Sequence, residues 1–260
     1  LYDSNFVFNG EVNPEGLSQT LSLKLSKNIN FGINLGEWVL LGDELNESGD
    51  KKYTKWIITA QPFIKFNLNK IKITFAPGFF IWTNKKGLDD AMGLQKEAKY
   101  SILDIYFNFK VDLGIFPLSL SIEWVYNFSK NEYPSDPRNE DLKNKNMALQ
   151  IILKIGELKK LYDWSLSLGF RTVQRYAFDG TLSNDDFSIS YTSTVDSNTY
   201  NSPWNIFGIF GTVGIVFMPN TSFTIDVVYT KNKSASFDLD YSNHQYVKDL
   251  IFKFSITAKF

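Results

Sequence analysis

Apolar and polar residues alternate along most of the chain with a period of two. The segment 252–260 is a clear case. Phe252, Phe254, Ile256, Ala258 and Phe260 share one parity, and Lys253, Ser255, Thr257 and Lys259 share the other. This pattern predicts strands with one apolar and one polar face. Twelve runs carry it, near 4–12, 17–26, 29–41, 53–67, 70–83, 99–111, 115–129, 146–156, 162–176, 204–218, 222–231 and 252–260. Each spans about ten to fifteen residues, against about five or six for a typical soluble strand. A tilted membrane-crossing strand needs about nine to eleven.

The connections alternate as well. Short turns such as "SKN", "LNK", "DLG", "GELKKL" and "PNT" take turns with long polar segments. Among the long ones are "DELNESGDKK", "NKKGLDDAMGLQKEA" and the whole of 177–203. Short turns at one rim and long loops at the other are the pattern of an outer-membrane barrel. The expected fold is therefore all-β: a single transmembrane up-and-down antiparallel β-barrel over 1–260, of about twelve strands. Its polar parity would face a lumen and its apolar parity would face lipid. A closed barrel leaves no unpaired edge.

Composition fits this expectation. Aromatic residues make up 16% of the chain, with 23 Phe, 13 Tyr and 6 Trp, yet mean hydropathy is slightly negative. An apolar outer band with aromatic girdles around a polar interior has this balance. Trp38, Trp56, Trp82 and Trp204 adjoin long loops, Trp124 lies towards that end, and Trp164 begins a strand at the short-turn rim. Indole rings suit a membrane–water interface. Basic and acidic residues number 27 and 28, so nothing calls for nucleic acid. Without cysteine there are no disulfides or thiolate sites. His244 is the single histidine, so no histidine-rich metal centre or triad is expected, and no cofactor.

For a channel, the chemistry is the lumen. Parity assigns Lys24, Lys55, Lys65, Lys72, Lys110, Lys154, Arg171, Arg175, Lys253 and Lys259 inward, against Glu11, Asp104, Glu123 and Asp226. A surplus of one sign sets ion preference in a pore, so mild anion preference is expected. Lysines near either rim are also able to snorkel to the interface. Asp179, Asp185 and Asp186 in the long 177–203 loop are candidates for a constriction facing Arg171 and Arg175. Their spacing is not that of a calcium loop. Strands 146–156 and 204–218 also put Ile152, Phe210 and Val216 inward, so a structural or plugged barrel is an alternative. A third is a lipid hydrolase using His244 beside Ser242 and Asn243, which would need a nucleophile within hydrogen-bond reach of its base.

Two stretches resemble a family of bacterial porins. In "YDWSLSLGFRTVQRYAFDGTLSNDDF" (162–187) the matching residues are Asp163, Trp164, Arg171, Arg175, Asp185, Asp186 and Phe187. "YDSNFVFNGEVNPEGLSQTLSL" (2–23) and the C-terminal strand are similar too. Gln174 and Tyr176 depart from the family pattern, where acids are usual. Family chains also have a further segment ahead of what is Leu1 here. The resemblance thus implies either the C-terminal part of a larger barrel or a compact twelve-stranded relative. It implies passive diffusion of ions and small polar solutes, no catalysis, and a place in the bacterial outer membrane. Long loops would lie outside and the termini in the periplasm. The expected partners are outer-membrane lipid and lipopolysaccharide, with a homo-oligomer as an open alternative. The ending on Phe260 resembles the terminal signal that barrel-assembly machinery reads.

Overall fold

The computed structural model describes residues 15–40, 55–82, 100–129, 146–174, 177, 189–192, 199–202, 206–232 and 248–258. These residues are all-β, with no helix among them. The strands are β1 (Glu15–Lys24), β2 (Ile29–Leu40), β3 (Lys55–Leu68), β4 (Ile71–Trp82), β5 (Ser101–Asp112), β6 (Pro117–Asn127), β7 (Met147–Gly156), β8 (Trp164–Val173), β9 (Ile189–Thr192), β10 (Thr199–Ser202), β11 (Ile206–Met218), β12 (Thr221–Asn232) and β13 (Lys248–Ala258).

Eleven of them form one antiparallel sheet in the order β1-β2-β3-β4-β5-β6-β7-β8-β11-β12-β13. Each strand pairs with its neighbour in the chain, apart from the small hairpin β9–β10 set between β8 and β11. Eleven of the twelve expected runs are thus strands of the sheet, and the run near 4–12 lies outside the described residues. Within the described residues β1 and β13 are the two edges and do not pair. The segment 177–203, read as a loop, contains the hairpin, and Cα atoms of β9 come within 8 Å of β12 and β13.

Turn chemistry follows the alternation of connection lengths. The β3–β4 and β11–β12 turns are tight, and Asn69 and Asn220 take φ of 50° and 59° there. Asparagine tolerates this left-handed region better than most side chains. In the β7–β8 turn the Asp163 carboxylate accepts from the amides of Lys159 and Lys160 at 3.1 and 2.6 Å.

The register separates two faces. One carries Leu17, Leu21, Phe31, Leu35, Ile58, Phe75, Phe79, Leu168, Ile209, Val213, Phe252, Phe254 and Ile256, all exposed, up to 79% for Leu17. The opposite, covered face holds the buried residues, among them Ile57, Gln61, Phe80, Asp104, Glu123, Arg171 and Ile206.

The strands are staggered in one direction. A single row of cross-strand partners on the covered face runs Lys24–Asn30–Lys65–Thr74–Asn108–Ser121–Ile152–Gly169–Phe210–Val228–Ile251. It starts at the last residue of β1, beside a short turn. It ends near the start of β13, beside a long connection. Hydrogen-bonded rows run perpendicular to strands, so this climb is the cumulative shear that a tilted, curling sheet requires.

Candidate functional site

The covered face divides into three tiers along the strands. The tier nearest the short turns is basic. Its row of partners reads Lys72–Lys110–Ser119–Lys154–Ser167–Thr212–Asp226–Lys253. Lys72 and Lys110 are direct cross-strand partners. Lys110 Nζ reaches the Glu157 carboxylate at 3.3 Å, and Lys159 Nζ meets the same oxygen at 3.0 Å. Burial alone would raise the Glu157 pKa, but the hydrogen bonds and charges of Lys159 and Lys110 outweigh it and hold the carboxyl below its ordinary 4.5. The Thr212 hydroxyl donates to Asp226 at 2.6 Å. Lys65 lies over the Phe63 ring at 5.4 Å, within cation–π range.

The middle tier is polar and closely packed. Thr20 donates to Asn34 at 2.9 Å, Asn34 to Gln61 at 3.3 Å, and Asn108 to Ser121 at 2.7 Å. Tyr106, Glu123, Gln150 and Arg171 follow one another in a single row. Asp104, Glu123, Gln150 and Arg171 are all buried, and Glu123 is the charge that acts on Arg171. Burying such a set costs desolvation unless charges and hydrogen bonds compensate it. Gly208 follows Arg171 in the row and presents no side chain beside the guanidinium. Below them Phe63 sits in a second small cluster with Ala76 and Tyr106. A side chain at Gly32 would collide with the Phe63 ring, and one at Gly169 with Phe210.

The tier nearest the long connections is apolar. Ile57, Phe80, Trp82, Tyr100, Ile102, Val125, Ala148, Val173, Ala177 and Ile206 form one cluster, none more than 5% exposed, with Trp38, Phe210 and Val228 packed against it. Side chains lining a water-filled passage would be accessible to water, and these are not.

The sequence-predicted residues fall as follows. Lys24, Lys72, Lys110, Lys154, Asp226 and Lys253 share the covered face near or below its middle. Lys55 is the first residue of β3, paired with Leu40. Asp104, Glu123 and Arg171 are on the same face but buried, none more than 4% exposed. Arg175, Asp179, Asp185, Asp186, Lys259, Phe260, and the Ser242–Asn243–His244 stretch lie outside the described residues.

The expectation for tryptophan needs correcting. Trp38 and Trp82 belong to the apolar tier of the covered face, where Trp38 Nε1 lies 3.4 Å from the Thr59 hydroxyl. Their parity decides it, because Trp38 is in step with Asn34 and Gly36, and Trp82 with Gly78 and Phe80. Trp56 and Trp164 are on the exposed face, at opposite ends of their strands' span. Trp124 stacks on Tyr126 at 5.8 Å between ring centres.

Sequence reasoning missed the apolar tier itself. Its signal is present, because alternation gives way to unbroken apolar runs at the long-connection ends. Examples are Trp56-Ile57-Ile58, Phe79-Phe80-Ile81-Trp82 and Trp124-Val125-Tyr126. In these runs apolar residues of the exposed face, such as Ile58 and Phe79, alternate with buried apolar residues of the covered one, such as Ile57 and Phe80. No protein-family model, curated protein or solved structure matches this chain.

Proposed function

We propose that the chain forms a β-barrel in a bacterial outer membrane and serves there as a channel for ions and small polar solutes, shut at its long-connection end by the apolar tier. The observation that carries this reading is the pairing of a one-way stagger across eleven long strands with a continuous exposed apolar face. Soluble monomers rarely expose apolar patches beyond a few hundred Å². A lipid-facing band needs such a surface, and shear of this kind closes sheets into barrels.

The covered face is then the interior. Its basic tier opens towards the short-turn rim and favours anions. The apolar tier is the barrier, and the buried Glu123–Arg171 row lies next to it. Passage requires that tier to move or thin. A second reading is a purely structural barrel, and the dryness of the apolar tier favours it.

Conductance in a planar bilayer under a salt gradient separates the two. The channel reading expects rare openings from the unaltered protein, with a reversal potential of anion sign. Phe80→Ala with Ile102→Ala should make openings frequent. Reversing charge with Lys72→Glu, Lys110→Glu and Lys154→Glu should turn the sign towards cations. Silence from all of these, in protein shown to be folded, would leave the structural barrel.

A further inference from the structure

Charge is most one-sided at the short-turn end of the sheet, from the β3–β4 turn to β8. Lys70, Lys72, Lys110, Lys154, Lys159 and Lys160 stand there against Asp112, Glu157 and Asp163. All three acids are already engaged. Asp112 accepts from the Gly114 amide at 2.8 Å, and Asp163 from the amides of Lys159 and Lys160. Glu157 offers one oxygen to Lys110 and Lys159 together, so two cations share one anion. Neither Lys72 nor Lys154 has a hydrogen bond or ion pair among the described residues. Both are exposed, and Lys110 is half-buried.

The register puts these three lysines in one row of the covered face, Lys72–Lys110–Ser119–Lys154. Lys72 and Lys110 are direct partners, with Cβ atoms about 5 Å apart, and like charges so placed disfavour each other. Lys154 lies two strands, about 10 Å, from Lys110. Between them is Ser119, half-buried, and its hydroxyl has no hydrogen-bond partner among the described residues. The surplus stops at β11. There the row continues as Thr212–Asp226–Lys253, where Asp226 accepts the Thr212 hydroxyl at 2.6 Å and stands directly opposite Lys253.

We propose that Lys72, Lys110, Ser119 and Lys154 form a binding site for the phosphate group of a small soluble anion, either free phosphate or a phosphate monoester. A surplus of this size is not balanced by a chloride or a single carboxylate. A phosphate group carries about −1.5 to −2 charge near neutral pH and three strong acceptor oxygens. That is enough for ammonium groups reaching it from two sides and for the Ser119 hydroxyl between them. Lysine binds phosphate as a point charge and needs no bidentate geometry. The row faces away from the exposed apolar surface, so a lipid headgroup whose chains lie in a bilayer does not reach it. The inference rests on the channel reading above for the solute's route from the short-turn rim, and it names the class of anion that the basic tier holds.

The test titrates the full chain, purified in detergent, with inorganic phosphate, glycerol phosphate or succinate, and reads binding by calorimetry. The buffer holds about 0.1 M sodium chloride, which screens charges more than about 10 Å apart. Folding of each variant is checked by its shift in gel mobility on heating. The unaltered protein should bind phosphate and glycerol phosphate saturably, and succinate, whose two charges sit on separate groups, more weakly. Tighter glycerol phosphate marks the monoester as the ligand, and tighter phosphate the free ion. Lys72→Gln with Lys154→Gln should weaken both at least about tenfold, and Glu157→Gln, which releases Lys110 and Lys159, should tighten both about threefold, as suits partly exposed charges. A purely structural role for the lysines would not produce that gain. Lys248→Gln, on the exposed face at the long-connection end of β13, should change nothing. No saturation in the folded unaltered protein overturns the site, as does succinate binding as tight as phosphate. Unchanged affinity in Glu157→Gln, or a loss in Lys248→Gln equal to that of the double variant, overturns the placement. Saturable binding without conductance keeps the site and removes the channel, and conductance without phosphate binding does the reverse.

Discussion

The same strands carry opposite chemistry at their two ends. At the long-connection end β3, β4 and β5 turn Ile57, Phe80 and Ile102 onto the covered face, and none of the three is more than 1% exposed. At the short-turn end they turn Lys65, Lys72 and Lys110 onto it, and these remain in touch with water. A pore of uniform lining would need neither contrast. The difference teaches that the covered face is not one surface but a sealed region joined to a wet one, with the Glu123–Arg171 row where they meet.

The sharpest way to break that comparison is to cut into the sealed end. Phe80→Ala should cost about 3–5 kcal/mol of stability, as for other large buried side chains. Lys72→Ala should change it by less than about 0.5 kcal/mol. Urea unfolding in lipid vesicles measures both, and similar values for the two would erase the contrast. At the boundary, Arg171→Met should cost roughly 3–5 kcal/mol, because it strands buried acid. Combining it with Glu123→Gln should recover much of the loss, and a double-mutant cycle reads the coupling. Additive losses would mean that the two side chains do not depend on each other.

Smaller effects are expected towards the turns. Thr212→Val removes the 2.6 Å hydrogen bond to Asp226 and should cost about 1–2 kcal/mol. Least of all is Glu157→Gln, since a partly exposed ion pair is worth under about 1 kcal/mol. The sign of its pH dependence is still defined. Lys159 and Lys110 hold the folded carboxyl below 4.5, so its contribution is complete above that value and is lost as pH falls through the lowered one. The difference in unfolding midpoint between the unaltered protein and Glu157→Gln should therefore shrink on acidification below 4.5. A difference that grew would reverse the assignment.

The sheet was largely legible beforehand because period-two alternation is a local property. Leu21-Ser22-Leu23-Lys24 or Phe252-Lys253-Phe254-Ser255 declare their faces without reference to anything distant. Inward parity followed directly for Lys72, Lys110, Asp104 and Arg171. What those residues touch was not legible. Glu123, two strands away across β7, acts on Arg171, and no local alternation couples the two; Asp185 and Asp186, the partners expected for Arg171, lie outside the described residues. Residues distant in sequence become neighbours only through register, and register belongs to pairs of strands rather than to either one.

The chain by itself determined that it would make long one-sided strands, joined by alternating short and long connections, with lysines and acids on one parity. Steric alternation along an extended backbone is enough for that. Tertiary structure alone decided which covered positions are wet and which are dry. Exposure depends on how the stagger brings eleven strands' side chains together, and Phe80 and Lys72 share one parity of one strand. It also decided that Trp38 and Trp82 pack with the buried apolar cluster of the covered face rather than on the exposed one, because an indole satisfies either setting and only its neighbours choose between them.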